Sequence, residues 1–106
     1  MYKQKKVILQ NENQIVEAKL NFEKCMNLKE LYLPQKDLSL IKSIYTVGKI
    51  YYQSFGLLKE AQELLTRSLL GFEVNQLDID EKTFMEYYLS NQLYLGKVKL
   101  NFIILK

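Results

Sequence analysis

The sequence predicts an all-α fold, with antiparallel helix pairs stacked as a short solenoid. Three observations carry that prediction. Apolar residues recur at intervals of three and four along most of the chain, the rhythm of helices with one buried face. Small residues at Gly48, Ala61 and Ser68 stand among large apolar ones between Ile44 and Leu70, where they let a second helix backbone come close. Ala18 to Ala61 and Cys25 to Ser68 are both 43 residues apart, and Phe22 and Leu65 each follow their alanine by four. A period of that size made from two helices marks a helical solenoid.

The elements follow in order. Lys5 to Gln10 reads as a short helical remnant before a turn at Asn11 to Asn13. From Gln14 to Leu31, Ile15, Ala18, Phe22, Cys25, Met26 and Leu28 form an apolar stripe between lysines and glutamates. Leu33-Pro34 ends this helix, because the residue before proline is pushed out of the helical region. Asp37 stands where an N-cap is wanted, and the second helix runs from Leu38 to Ser54. Phe55-Gly56 makes the turn, and a third helix spans Leu57 to Leu70 or Phe72, with Gly71 as a stop signal. Asn75 to Asp80 is a polar connector with capping residues at Asp78 and Asp80. A last helix covers Glu81 to Asn101, and the apolar tail Phe102 to Lys106 continues or caps it, with a short strand as the alternative reading of its β-branched run.

Gly48 and Gly96 align the second and fourth helices, as YTVGKIYYQ over LYLGKVKLN. With Val47-Gly48, Tyr51-Tyr52, Gly56, Ala61, Leu65 and Ser68-Leu69, the chain resembles the tetratricopeptide repeat family. The long period is most similar to repeats of the kinesin light chain type. One surplus residue near Ser54-Phe55 and Lys99 in a tyrosine position depart from the pattern. The resemblance implies one domain over residues 1–106, about two to two and a half repeats of a partial array. It gives structural repeat positions at Ala18, Phe22, Cys25, Gly48, Gly56, Ala61, Ser68 and Gly96, with Cys25 a packed thiol. A solenoid unit buries its apolar face against neighbours. The expectation is therefore a fragment of a longer array, a subunit of a larger complex, or a module self-associating through its last helix.

Composition narrows the function. The chain has 106 residues, enough for one small domain. With no His and one Cys, internal disulfides and the Ser/His and Cys/His nucleophile arrangements are excluded. The lone thiol points to a reducing, cytoplasmic setting, with association to a cytoskeletal or organellar complex as a variant. No stretch approaches the roughly 20 apolar residues that cross a bilayer. The carboxylate pairs Glu12/Glu17, Glu60/Glu63 and Glu81/Glu86 read as solvated helix faces, not acid–base groups. The net charge of +3 comes without an arginine cluster, so nucleic acid is a poor fit. Neither a metal site nor a cofactor or small-molecule substrate is expected, and the protein reads as no enzyme.

The family resemblance further implies a concave wall lined by the first helix of each pair. Registered on Gly48, that wall holds Lys42, Tyr45, Lys49, Tyr52 and Gln53; registered on Gly96, it adds Ser90, Leu93, Lys97 and Asn101. Lysine supplies charge, tyrosine stiff contact area, and the amides backbone hydrogen bonds, a combination suited to an acidic peptide or protein partner. The competing reading leaves these lysines as an ordinary solvated face. The favoured function is a protein–protein interaction scaffold. Alternatives are a structural subunit of a large complex, or the non-catalytic C-terminal helices of a SET-and-MYND-type lysine methyltransferase, which LYLPQKDLSLIKSIYTVGKIYYQ is similar to.

Overall fold

The structure is a computed structural model describing the backbone of residues 2–104 and the side chains of residues 13–104. Four helices follow one another: α1 (Tyr2–Tyr32), α2 (Leu38–Ile50), α3 (Leu58–Val74) and α4 (Glu81–Ile104). A π-helical turn at Tyr51–Phe55 extends α2, and a 3-10 turn at Gln76–Asp78 precedes α4. Among the described residues there is no strand.

The local stops act as the sequence suggests at three of the breaks. Asp37 caps α2 by accepting a hydrogen bond from the Leu40 amide at 3.2 Å. Asp80 accepts from the Thr83 amide at 3.0 Å at the start of α4, and the Thr83 hydrogen bonds hold its carboxyl below the usual carboxylate range. Gly56 adopts a left-handed conformation, φ 66°, and its amide reaches back to the Tyr51 carbonyl. The residue in excess near Ser54-Phe55 lies in the π turn, which absorbs an added residue by widening one loop of helix.

Other boundaries differ from the sequence expectation. The turn at Asn11 to Asn13 is absent and α1 runs straight through it, since neither glycine nor proline interrupts the segment. Gly71 does not stop α3, which continues to Val74. Its role is steric: a Cβ at Gly71 would stand 2.8 to 3.1 Å from three side-chain atoms of Ile41. The last helix extends three residues past Asn101 to Ile104, while Leu105 and Lys106 lie outside the described residues.

Consecutive helices run antiparallel. Near the start of α2, Ile41 meets Gly71 and Ser68 near the end of α3, and the Ser68 hydroxyl donates to the Ile41 carbonyl at 3.4 Å. Farther along, a Cβ at Gly48 would lie 3.1 Å from atoms of Leu64 and Leu65. Ala61, one turn before Leu65 on α3, is fully buried. The core comprises Leu40, Ile41, Ile44 and Val47 of α2, Leu65 and Phe72 of α3, and Phe84, Leu95 and Val98 of α4.

By contrast, α1 adds only Met26 to the buried apolar set among the described residues. Polar contacts tie it down. Lys29 donates to Ser43 at 2.6 Å, Arg67 of α3 pairs with Glu30 at 2.8 Å, and the buried Tyr51 hydroxyl donates to Glu23 at 2.7 Å. Cys25, expected in a packed slot, is exposed. The equivalent Ser68 is covered because α3 presses on α2 at glycines, whereas α1 leaves a groove beside Cys25, Met26, Ser43 and Val47. Ala18 and Phe22 are half-buried along the same side.

Burial, with the neighbouring Glu23, pushes the Tyr51 phenol well above its ordinary value of 10. The neutral form is therefore favoured in the fold. Above pH 10 the unfolded chain releases this proton while the folded chain keeps it, so stability falls as pH rises further. Denaturation series from pH 8 to 11.5 are expected to show a steeper alkaline loss for the wild type than for Tyr51→Phe. Parallel curves would show that Tyr51 does not govern that window.

Candidate binding groove between α2 and α4

The third helix pairs with both α2 and α4, and so sets these two helices side by side. Their facing surfaces carry tyrosines and lysines at helical spacing. On α2, Lys42, Tyr45, Lys49 and Tyr52 recur at intervals of three and four. On α4, Tyr87, Tyr94 and Asn101 recur every seven residues, two helical turns apart.

Tyr94 is the centre of the arrangement. The Lys49 ammonium of α2 lies 5.5 Å from its ring centroid, and that of Lys97 on α4 lies 5.2 Å away. Gln53 donates to the Tyr94 hydroxyl at 2.9 Å, and Tyr52 meets the ring edge-on at 6.1 Å. Asn101 donates to the Tyr52 hydroxyl at 3.0 Å. Two cations from different helices thus approach one aromatic ring, whose quadrupole attracts both.

A second group sits nearer the Asp80 end. Tyr45 is buried and packs edge-on against Tyr87 at 5.3 Å, with Lys42 5.5 Å from the Tyr87 ring centroid. Phe72 stacks on the other side of Tyr87 at 4.7 Å, so core packing sets the orientation of a groove ring. Of the wall residues read from sequence, the structure brings together Lys42, Tyr45, Lys49, Tyr52, Gln53, Lys97 and Asn101. Ser90 is half-buried, and Leu93 is exposed, one residue or about 100° round the helix from Tyr94. Sequence reasoning missed Tyr94 and Tyr87 as groove residues. Their seven-residue spacing, and Lys97 three residues beyond Tyr94, is the signal that would have found them.

The groove carries the ammonium groups of Lys42, Lys49 and Lys97, the phenols of Tyr52 and Tyr94, and the side-chain amides of Gln53 and Asn101. Among the described residues, no cluster of acidic, cysteine or histidine side chains is placed to hold a metal ion. No helix among them is long and apolar enough to cross a membrane. No protein-family model matches the chain, and neither does any curated protein or solved structure.

Proposed function

We propose that the protein is a non-enzymatic protein–protein interaction module of tetratricopeptide-like solenoid type, taking an extended acidic segment of a partner along the α2–α4 groove. The observation that carries this reading is the convergence of Lys49 and Lys97 on Tyr94. Two ammonium groups gathered at one ring make this stretch of the groove electropositive, which favours an anionic side chain there. Tyr52 and Tyr94 provide rigid contact area for an aromatic or apolar anchor at low entropic cost. Gln53 and Asn101, already hydrogen-bonded to the tyrosine hydroxyls, hold those rings in position for a ligand. The antiparallel α2–α3 pair, closed at Gly48, Ala61 and Ser68, supports the repeat reading of the architecture.

The test is fluorescence anisotropy with a set of labelled glutamate-rich peptides, each carrying one aromatic residue. Reversing both charges, Lys49→Glu with Lys97→Glu, is expected to weaken the tightest peptide by about tenfold or more, a loss of about 1.4 kcal/mol. Raising salt should weaken the wild type and strengthen the reversed variant, whose added carboxylates repel the peptide until they are screened. Equal affinity of the two proteins would overturn the groove reading.

A further inference from the structure

We infer that the outward face of α4 pairs with α4 of a second copy of this chain, antiparallel and around a two-fold axis. This inference does not rest on the groove, which uses a different side of the helix, although Lys97 borders both surfaces. The buried side of α4 carries Phe84, Asn91, Leu95 and Val98. On the opposite side Met85, Leu89, Leu93, Gly96, Leu100 and Ile103 follow at steps of four, four, three, four and three, and every one is exposed. That rhythm keeps a single apolar stripe along most of a 24-residue helix, about 36 Å long at 1.5 Å per residue. A helix with two apolar faces has two partners, and α3 accounts for one.

Gly96 shows how closely a partner can come. A Cβ there would meet nothing within 4 Å, whereas the aligned Gly48 is filled by Leu64 and Leu65 of α3. The same notch that seats a helix in the α2–α3 pair is open on α4. Gly96 therefore does not serve as an internal close-packing position, as its repeat register suggests.

Charge selects the occupant. Along the flanks of the stripe, the N-terminal half of α4 carries Glu81 and Glu86, and the C-terminal half carries Lys97 and Lys99, while Lys82 stands at the N-terminal end of the stripe itself. Glu86 and Lys97 lie on one flank, Glu81 and Lys99 on the other, by the 100° step of the helix. Antiparallel helices bring equivalent flanks together. Seating Leu89 in the partner's Gly96 sets Met85 against the partner's Leu100 and brings Leu93 near its own counterpart. It also places Glu86 beside the partner's Lys97 and Glu81 towards the partner's Lys99. A parallel pair would set like charges opposite each other. The surface is complementary to itself under a two-fold rotation, as an isologous interface requires.

The experiment is sedimentation equilibrium of the full chain from 1 to 200 μM, with thermal melts of each variant. The wild type is expected to dimerise reversibly. Gly96→Leu fills the notch and should raise the dimer dissociation constant at least about tenfold, while monomer melting stays the same or rises, because a helix gains from losing glycine. Glu86→Lys should weaken the dimer, and adding Lys97→Glu to it should restore much of the loss. A wild type monomeric at 200 μM would overturn the proposal and leave the face to a different protein. So would a dimer indifferent to Gly96→Leu, or charge changes that fail to compensate. Peptide binding by monomeric Gly96→Leu separates these outcomes from any failure of the groove.

Discussion

Phe72→Ala is expected to lower folding stability by about 3–5 kcal/mol, the range for emptying a buried aromatic site. Phe72 is fully buried near the end of α3, among the side chains that join α2, α3 and α4. Its ring stacks on Tyr87 at 4.7 Å, so the substitution removes an aromatic contact as well as apolar volume. Little around it can collapse inward, because α2 and α3 already touch at Gly71 and Gly48. Urea denaturation followed by circular dichroism measures the loss as a lower midpoint at unchanged slope. The effect should extend to the groove. Without Phe72 behind it, Tyr87 loses the surface that fixes its approach to Tyr45 and Lys42. A variant retaining wild-type stability would show that α3 and α4 are not joined through this stack.

Ala61→Leu tests the opposite error, too much volume. Ala61 has no exposed surface and lies on α3 one turn before Leu65, which packs against Gly48 of α2. Overfilling such a contact costs about 1–3 kcal/mol, since three added carbons must displace a helix backbone or force side chains off their rotamers. For a domain of this size that corresponds to a melting decrease of roughly 4–8 °C per kcal/mol. Leucine is nearly as good a helix former as alanine, so propensity does not mask the result. Leu69→Ala, at a half-buried position, serves as a volume control of opposite sign. Unchanged melting of Ala61→Leu would mean that α2 and α3 do not cross where Gly48, Ala61 and Ser68 place them.

Self-association and groove binding draw on different sides of α4. Lys97 stands at the border, over the Tyr94 ring and on the flank of the outward stripe. Dimerisation that draws Lys97 towards the partner's Glu86 would take one of the two cations from Tyr94. Peptide affinity is then expected to fall as the protein concentration rises through its dimerisation range, and Gly96→Leu should abolish that dependence.

The amino-acid sequence by itself determined the helices, their order and their antiparallel pairing. Those depend on neighbours in the chain: the apolar rhythm, Pro34, the Asp37 and Asp80 caps, and the left-handed Gly56. It also located the small residues, and it named Lys42, Tyr45, Lys49, Tyr52, Gln53, Lys97 and Asn101, side chains that lie between α2 and α4. What it could not decide is which small residue faces another helix. Gly71 looked like a stop and is a contact; Cys25 and Gly96 looked like contacts and are open. Helix continuation turns on local energy, but close approach turns on where two axes cross, and that is fixed by every other packed side chain. The place of Tyr94 between Lys49 and Lys97 arises in the same way, from helices that meet only after α3 has brought them together.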